Sequence, residues 1–118
     1  MNHSIKDPAT APWGVRITEA DFDKLKKGFR PQMMEDRWEC RADDLPDQRG
    51  NTTVRFYRSW QRSEQVALQV KSYNDGAMVG EITWNQGYTE DPFTEEDAKE
   101  LVTNLCQNLL GCEWTITS

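Results

Sequence analysis

Gln65-Val66-Ala67-Leu68-Gln69-Val70-Lys71-Ser72-Tyr73-Asn74-Asp75-Gly76-Ala77-Met78-Val79-Gly80-Glu81-Ile82-Thr83-Trp84 decides the fold of this chain. Apolar and polar residues alternate with period two, as a half-buried strand requires. Val66, Leu68 and Val70 fall on one face, with Ala67, Gln69 and Lys71 opposite. Asn74-Asp75-Gly76 interrupts the alternation with residues that tolerate positive φ, a strong hairpin signal. The return strand then puts Met78, Gly80, Ile82 and Trp84 on one face.

Upstream the same period holds. In residues 52–60, Val54, Phe56, Arg58 and Trp60 share a face, with Thr53, Arg55, Tyr57 and Ser59 on the other. Before them Trp38 and Cys40 alternate with Arg37, Glu39 and Arg41, and a turn-rich stretch, residues 43–51, separates the two strands. Four strands with short connections predict an antiparallel meander with one buried face.

Helices flank it. Thr18 is a candidate N-cap, with Glu19, Asp21 and Asp23 in the first turn; Phe22, Leu25 and Phe29 form one stripe, and Pro31 stops the helix. Thr94 caps a second helix, with Ala98, Leu101, Val102, Leu105 and Leu109 at three-to-four spacing and Gly111 placed as its C-terminal residue. The expected fold is α+β, in the order α-β-β-β-β-α, with the C-terminal helix across one sheet face and the N-terminal helix beside it. The expected core contains Trp38, Phe56, Leu68, Val70, Ile82, Trp84, Leu101 and Leu105. Residues 1–14, with Pro8, Pro12 and Gly14 and no periodicity, read as a flexible tail; residues 15–118 read as a single domain. Residues 112–118 alternate Trp114 and Ile116 and could add an edge strand.

At 118 residues the chain can bury a core without disulfides or metal. Cys40, Cys106 and Cys112 are odd in number and lack C-x-x-C spacing, so they are expected as reduced, passive thiols in a cytoplasmic setting, with Cys40 and Cys106 as small buried hydrophobes. No apolar run is long enough to span a membrane, and the start lacks the apolar region of a signal peptide. The first sixty residues carry eleven Lys/Arg against ten Asp/Glu, the remainder three against ten. Such an acidic chain is a poor general nucleic-acid binder.

Enzyme chemistry lacks its usual residues. His3 is the one histidine, in the expected tail, so neither a catalytic triad nor a zinc site is readily built, and no phosphate-binding glycine loop is present. Asp43, Asp44 and Asp47 fit a solvated turn. No catalytic residue, metal or cofactor is assigned.

Two surfaces are candidates. Arg58 shares the inward face with Val54, Phe56 and Trp60, where a charge needs a partner. Asp36 or Glu81 would supply an ion pair. Alternatively Arg37, Arg55 and Arg58, with Trp38, Tyr57, Trp60 and Glu81, would form a recess for a phosphorylated or nucleotide-like molecule, the guanidinium forking onto an anion and the rings stacking. The second surface is acidic. Glu90, Asp91, Glu95, Glu96, Asp97 and Glu100 face the single Lys99, more negative charge than helix capping needs. Such a patch steers a basic protein partner.

The segments Asp36-Arg37-Trp38, Arg58-Ser59-Trp60 and Glu81-Ile82-Thr83-Trp84, followed by a capped helix, resemble a group of small uncharacterised microbial proteins with D-[RK]-W, R-S-W and E-I-T-W in that order. The resemblance spans about residues 34–112 and implies one compact domain and no particular activity. Members continue R-S-W with T-G, where this chain has Gln61-Arg62. The leading expectation is a non-enzymatic protein-interaction or regulatory domain using its acidic surface or an edge strand; the alternative is the small-ligand module.

Overall fold

The computed structural model describes residues 5, 8–30, 37–43, 46, 48, 50–58, 63–73, 76–87 and 93–112. Asp36, Trp60, Asn74, Asp75, Glu90, Asp91 and residues 113–118 lie outside them.

Among the described residues the fold is α+β with five antiparallel strands rather than four. In chain order the elements are β1 (Pro8–Ile17), α1 (Glu19–Lys27), β2 (Trp38–Ala42), β3 (Thr52–Arg58), β4 (Ser63–Tyr73), β5 (Gly76–Asn85) and α2 (Glu95–Leu105), which continues into a π-helical turn over Cys106–Leu110. The sheet order is β1-β5-β4-β3-β2. The meander is therefore as expected, and the added strand is β1, drawn largely from the stretch read as a tail. Ala11, Val15 and Ile17 bury toward the helices. Pro8, Pro12 and Gly14 mask this periodicity, and an edge strand accommodates proline because it needs only one ladder.

β1 and β2 lie at opposite edges, so the chain crosses the sheet between them, and α1 occupies that crossing. Thr18 caps it, accepting from Asp21 N–H at 3.1 Å. Gly28 ends it at φ 73°, with its N–H on the Lys24 carbonyl. A Cβ there would lie 2.2 Å from the Cys40 carbonyl oxygen, so only glycine fits. Phe29 then bridges to Cys40 through two backbone hydrogen bonds of 3.0 and 2.9 Å, partly covering the outer edge of β2.

The core face carries the rows Val54–Leu68–Ile82–Ala11 and Phe56–Val66–Trp84–Ala9. Onto it pack Phe22 and Leu25 from α1 and Ala98, Val102, Leu105 and Cys106 from the last helical segment. Of the expected core, Phe56, Leu68, Val70, Ile82, Trp84 and Leu105 are buried; Trp38 and Leu101 are half-buried against it. Met78 and Gly80 are not on the Ile82 face. A bulge leaves Gly80 without an opposite residue between the pairs Gln69–Glu81 and Val70–Val79, so Val79 and Ala77 point inward instead. β1 breaks register at the same level, between Pro12 and Val15.

The capping box at Thr94 and Asp97 is formed, and Gly111 terminates the π-helical turn in the left-handed region. The three cysteines are buried and free. Among the described residues, no helix is long and apolar enough to cross a membrane.

Candidate functional site

Strand alternation divides the expected anion recess between two faces. Trp38 and Arg58 are register partners at the rim of the helix-covered face. The Arg58 guanidinium stands 5.3 Å from the centre of the Trp38 ring, a cation–π contact on half-buried groups. Arg55, Tyr57 and Glu81 project to the opposite face, and exposed Arg37 precedes β2. Trp60 lies outside the described residues.

The Arg58–Glu81 ion pair suggested by parity is not formed. Glu81 stands in the row Thr53–Gln69–Glu81, toward the other end of β3. At about 3.3 Å per residue, the offset along the strand is roughly 15 Å or more, beyond side-chain reach. Asp36, the other suggested partner, is not among the described residues.

Arg55 has its own partners. Its Nε and Nη2 donate to the two carboxylate oxygens of Asp43, each at 3.0 Å, in a bidentate fork. Its Nη1 donates to Glu64 at 3.0 and 3.2 Å. The guanidinium is thus clamped between two carboxylates, with all three of its nitrogens engaged. Asp43 is a half-exposed arm, whereas the Glu64 side chain is 7% exposed. Burial pushes the Glu64 carboxyl above the ordinary carboxylate range, against the opposing pull of Arg55. The hydrogen bonds that Arg55 donates to Asp43 hold it still more firmly protonated.

A bulge in β4 makes this clamp possible. Phe56 pairs with Val66 and Tyr57 with Glu64, so Gln65 is the extra residue. Glu64 and Gln65 both reach the sheet face away from the helices, where they are buried: Glu64 to Arg55, Gln65 to Asn85 Nδ2 at 2.9 Å. Thr53 donates to Gln69 at 3.1 Å beside them. This polar network was not legible in the alternation of the strands. Asp43 directly follows β2, its N–H on the Thr53 carbonyl at 2.9 Å, although the sequence there reads as a turn, and Glu64 sits at a bulge that carries no periodic mark.

The acidic surface is differently built. Glu95, Glu96 and Glu100 lie on α2; Glu90 and Asp91 are not described. Asp97 is committed to the capping box, accepting from Thr94 N–H at 3.1 Å. Lys99 donates to Glu95 at 2.6 Å and its ammonium lies 5.6 Å from the Trp13 ring centre. Glu96 and Glu100, one turn apart and exposed, form no ion pair with any described residue. Among the described residues, no group of three His, Cys, Asp or Glu could hold a metal ion.

Compared with known proteins, the chain matches no family model, no curated protein and no solved structure.

Proposed function

We propose that this chain is a non-enzymatic protein-interaction or regulatory domain that meets a basic partner through the exposed acidic face of α2. Lys99 carries the proposal. The one cation of the helix turns inward, onto Glu95 and the Trp13 ring, and so leaves Glu96 and Glu100 as an uncompensated pair facing solvent. The helix N-terminus accounts for Asp97 and favours Glu96 in its first turn, but it does not account for Glu100, a turn further on. Fixed surface charge of one sign accelerates encounter with the opposite charge and sets orientation more than it adds affinity.

The edge strands are weaker candidates for the same role. β1 carries two prolines, which cannot donate to an added strand, and the outer edge of β2 is bridged by Phe29. The small-ligand alternative loses its best anion fork, because Arg55 is already held by Asp43 and Glu64.

The test uses the full chain as immobilised bait, with the charge-reversed variant Glu96→Lys/Glu100→Lys beside it. A basic protein should be retained by the unaltered chain, released by moderate salt, and lost with the variant. Equal retention by both baits would place the contact elsewhere.

A further inference from the structure

Cys106 and Cys112 occupy one end of the last helix and are tied together through the backbone. The Cys112 N–H donates to the Cys106 carbonyl at 2.9 Å, and the Gly111 N–H donates to the same oxygen. A direct backbone hydrogen bond between two residues holds their Cα atoms about 5–6 Å apart, inside the roughly 4.4–6.8 Å that a disulfide spans. The left-handed Gly111 turns the chain so that both side chains enter the same buried space. There the two thiols are close enough to shift one another's titration.

The partners of the pair differ. Cys106 is fully buried, whereas Cys112 keeps slight exposure. Lys24 of α1 reaches the same spot, donating from Nζ to the Gly111 carbonyl at 2.8 Å. Cys112 Sγ lies 3.9 Å from the Asp21 carbonyl oxygen. The interaction with Cys106, aided by the Lys24 charge, lowers the Cys112 thiol, while the same interaction and burial raise Cys106. Cys40, the third thiol, is pushed up to about 12 by burial and stays protonated.

We propose that Cys106 and Cys112 are an oxidation site: hydrogen peroxide closes this dithiol to an intramolecular disulfide, with Cys112 attacking and Cys106 resolving. The Cys112 thiolate attacks one peroxide oxygen; the S–O bond forms, the O–O bond breaks, and the departing hydroxide takes a proton to become water. The Cys106 sulfur then attacks the Cys112 sulfenic sulfur; the S–S bond forms, the S–O bond breaks, and hydroxide leaves as water with the Cys106 proton. The two thiols together lose two electrons, and the peroxide is reduced to two waters. The earlier expectation of passive cysteines is retained only for Cys40.

Trypsin separates the thiols cleanly. Cleavage after Lys99 gives residues 100–118 with both Cys106 and Cys112, and cleavage after Arg37 and Arg41 gives residues 38–41 with Cys40. The folded full chain is treated with hydrogen peroxide, unfolded in iodoacetamide and digested, with circular dichroism recording that the fold persists through the oxidation. The expected result is that 100–118 loses two hydrogens and takes no alkyl group, against two before oxidation, while 38–41 takes one in both cases. Cys106→Ala should stall at a sulfenic acid on Cys112, trapped by dimedone; Cys106→Ser serves if the alanine variant does not fold. Cys112→Ser should leave Cys106 unreactive. Two alkyl groups on 100–118 after peroxide, a link to 38–41, or dimedone on Cys106 in Cys112→Ser would each overturn the proposal.

Discussion

Glu64 is the residue at which sequence, position and energetics meet most sharply. A carboxylate with a 7% exposed side chain is tolerable because Arg55 lies 3.0 Å away. Removing a buried ion's partner commonly costs about 3–5 kcal/mol; a third of the Arg55 side chain is exposed, so the loss for Arg55→Met is nearer 2 kcal/mol. Chemical denaturation at neutral pH should show it, and the double variant Arg55→Met/Glu64→Gln should recover most of it, since no unpaired charge is then left. An unrescued loss would mean that Arg55 acts through packing of its stem. The sign with pH is fixed by the direction of the shift. The folded carboxyl sits above its unfolded value, so the native state holds the proton more tightly, and this contribution is fully present below the unfolded value and fades as pH rises through the folded one. Without Arg55 the folded value rises further. The deficit of Arg55→Met should therefore shrink on acidification toward the ordinary range of glutamate.

Each element is bounded by a local device that can be broken singly. Gly28 both ends α1 and lets the chain pass against β2, where a Cβ would meet the Cys40 carbonyl oxygen at 2.2 Å. Gly28→Ala adds to that clash the strain of an extended, positive-φ backbone that is essentially restricted to glycine, about 1–3 kcal/mol, so denaturant titration should show a loss of more than about 2 kcal/mol. A neutral substitution would mean that the α1–β2 connection can relax. The devices differ in how plainly the sequence displays them. Caps at Thr18 and Thr94 and the glycine at 111 are single residue types with one physical use, and they stand where expected. Alternation located Val54, Phe56, Leu68 and Ile82 on the core face because a period of two holds while a strand is unbroken. Beyond the bulge at Gly80 the parity inverts, and Val79 replaces Met78 inside. The Arg55 clamp was hidden for the same reason, since the Gln65 bulge is what turns Glu64 toward it.

Across the molecule, β1 was the strand that the sequence concealed, and it makes the largest difference to the architecture. It pairs with β5 from Pro8–Asn85 to Ile17–Ala77, and Thr10 and Thr83 hydroxyls meet across the pair at 2.8 Å. Removing residues 2–11 would strip the rungs opposite Trp84, Thr83 and Ile82 and withdraw Ala11 from the core. About 100 Å² of newly exposed apolar surface at ~25 cal/mol/Å², with the lost ladder bonds, amounts to about 2–4 kcal/mol. Thermal unfolding should move down by about 10 °C, contrary to what a dispensable tail implies. A shift of only a few degrees would show that β1 adds little to the sheet.

This pairing also sets an order of events during synthesis. β1 is synthesised before the meander and is bonded to its final strand, β5, with a sequence separation of 73 between Thr10 and Thr83. Until β5 is made, β1 has no native neighbour in the sheet, and its two prolines are then a safeguard, hindering the nascent strand from pairing with a stranger. The meander can form hairpin by hairpin, but closure waits for a long loop to be drawn in, so completion of the edge rather than growth of the centre should pace the folding of this chain.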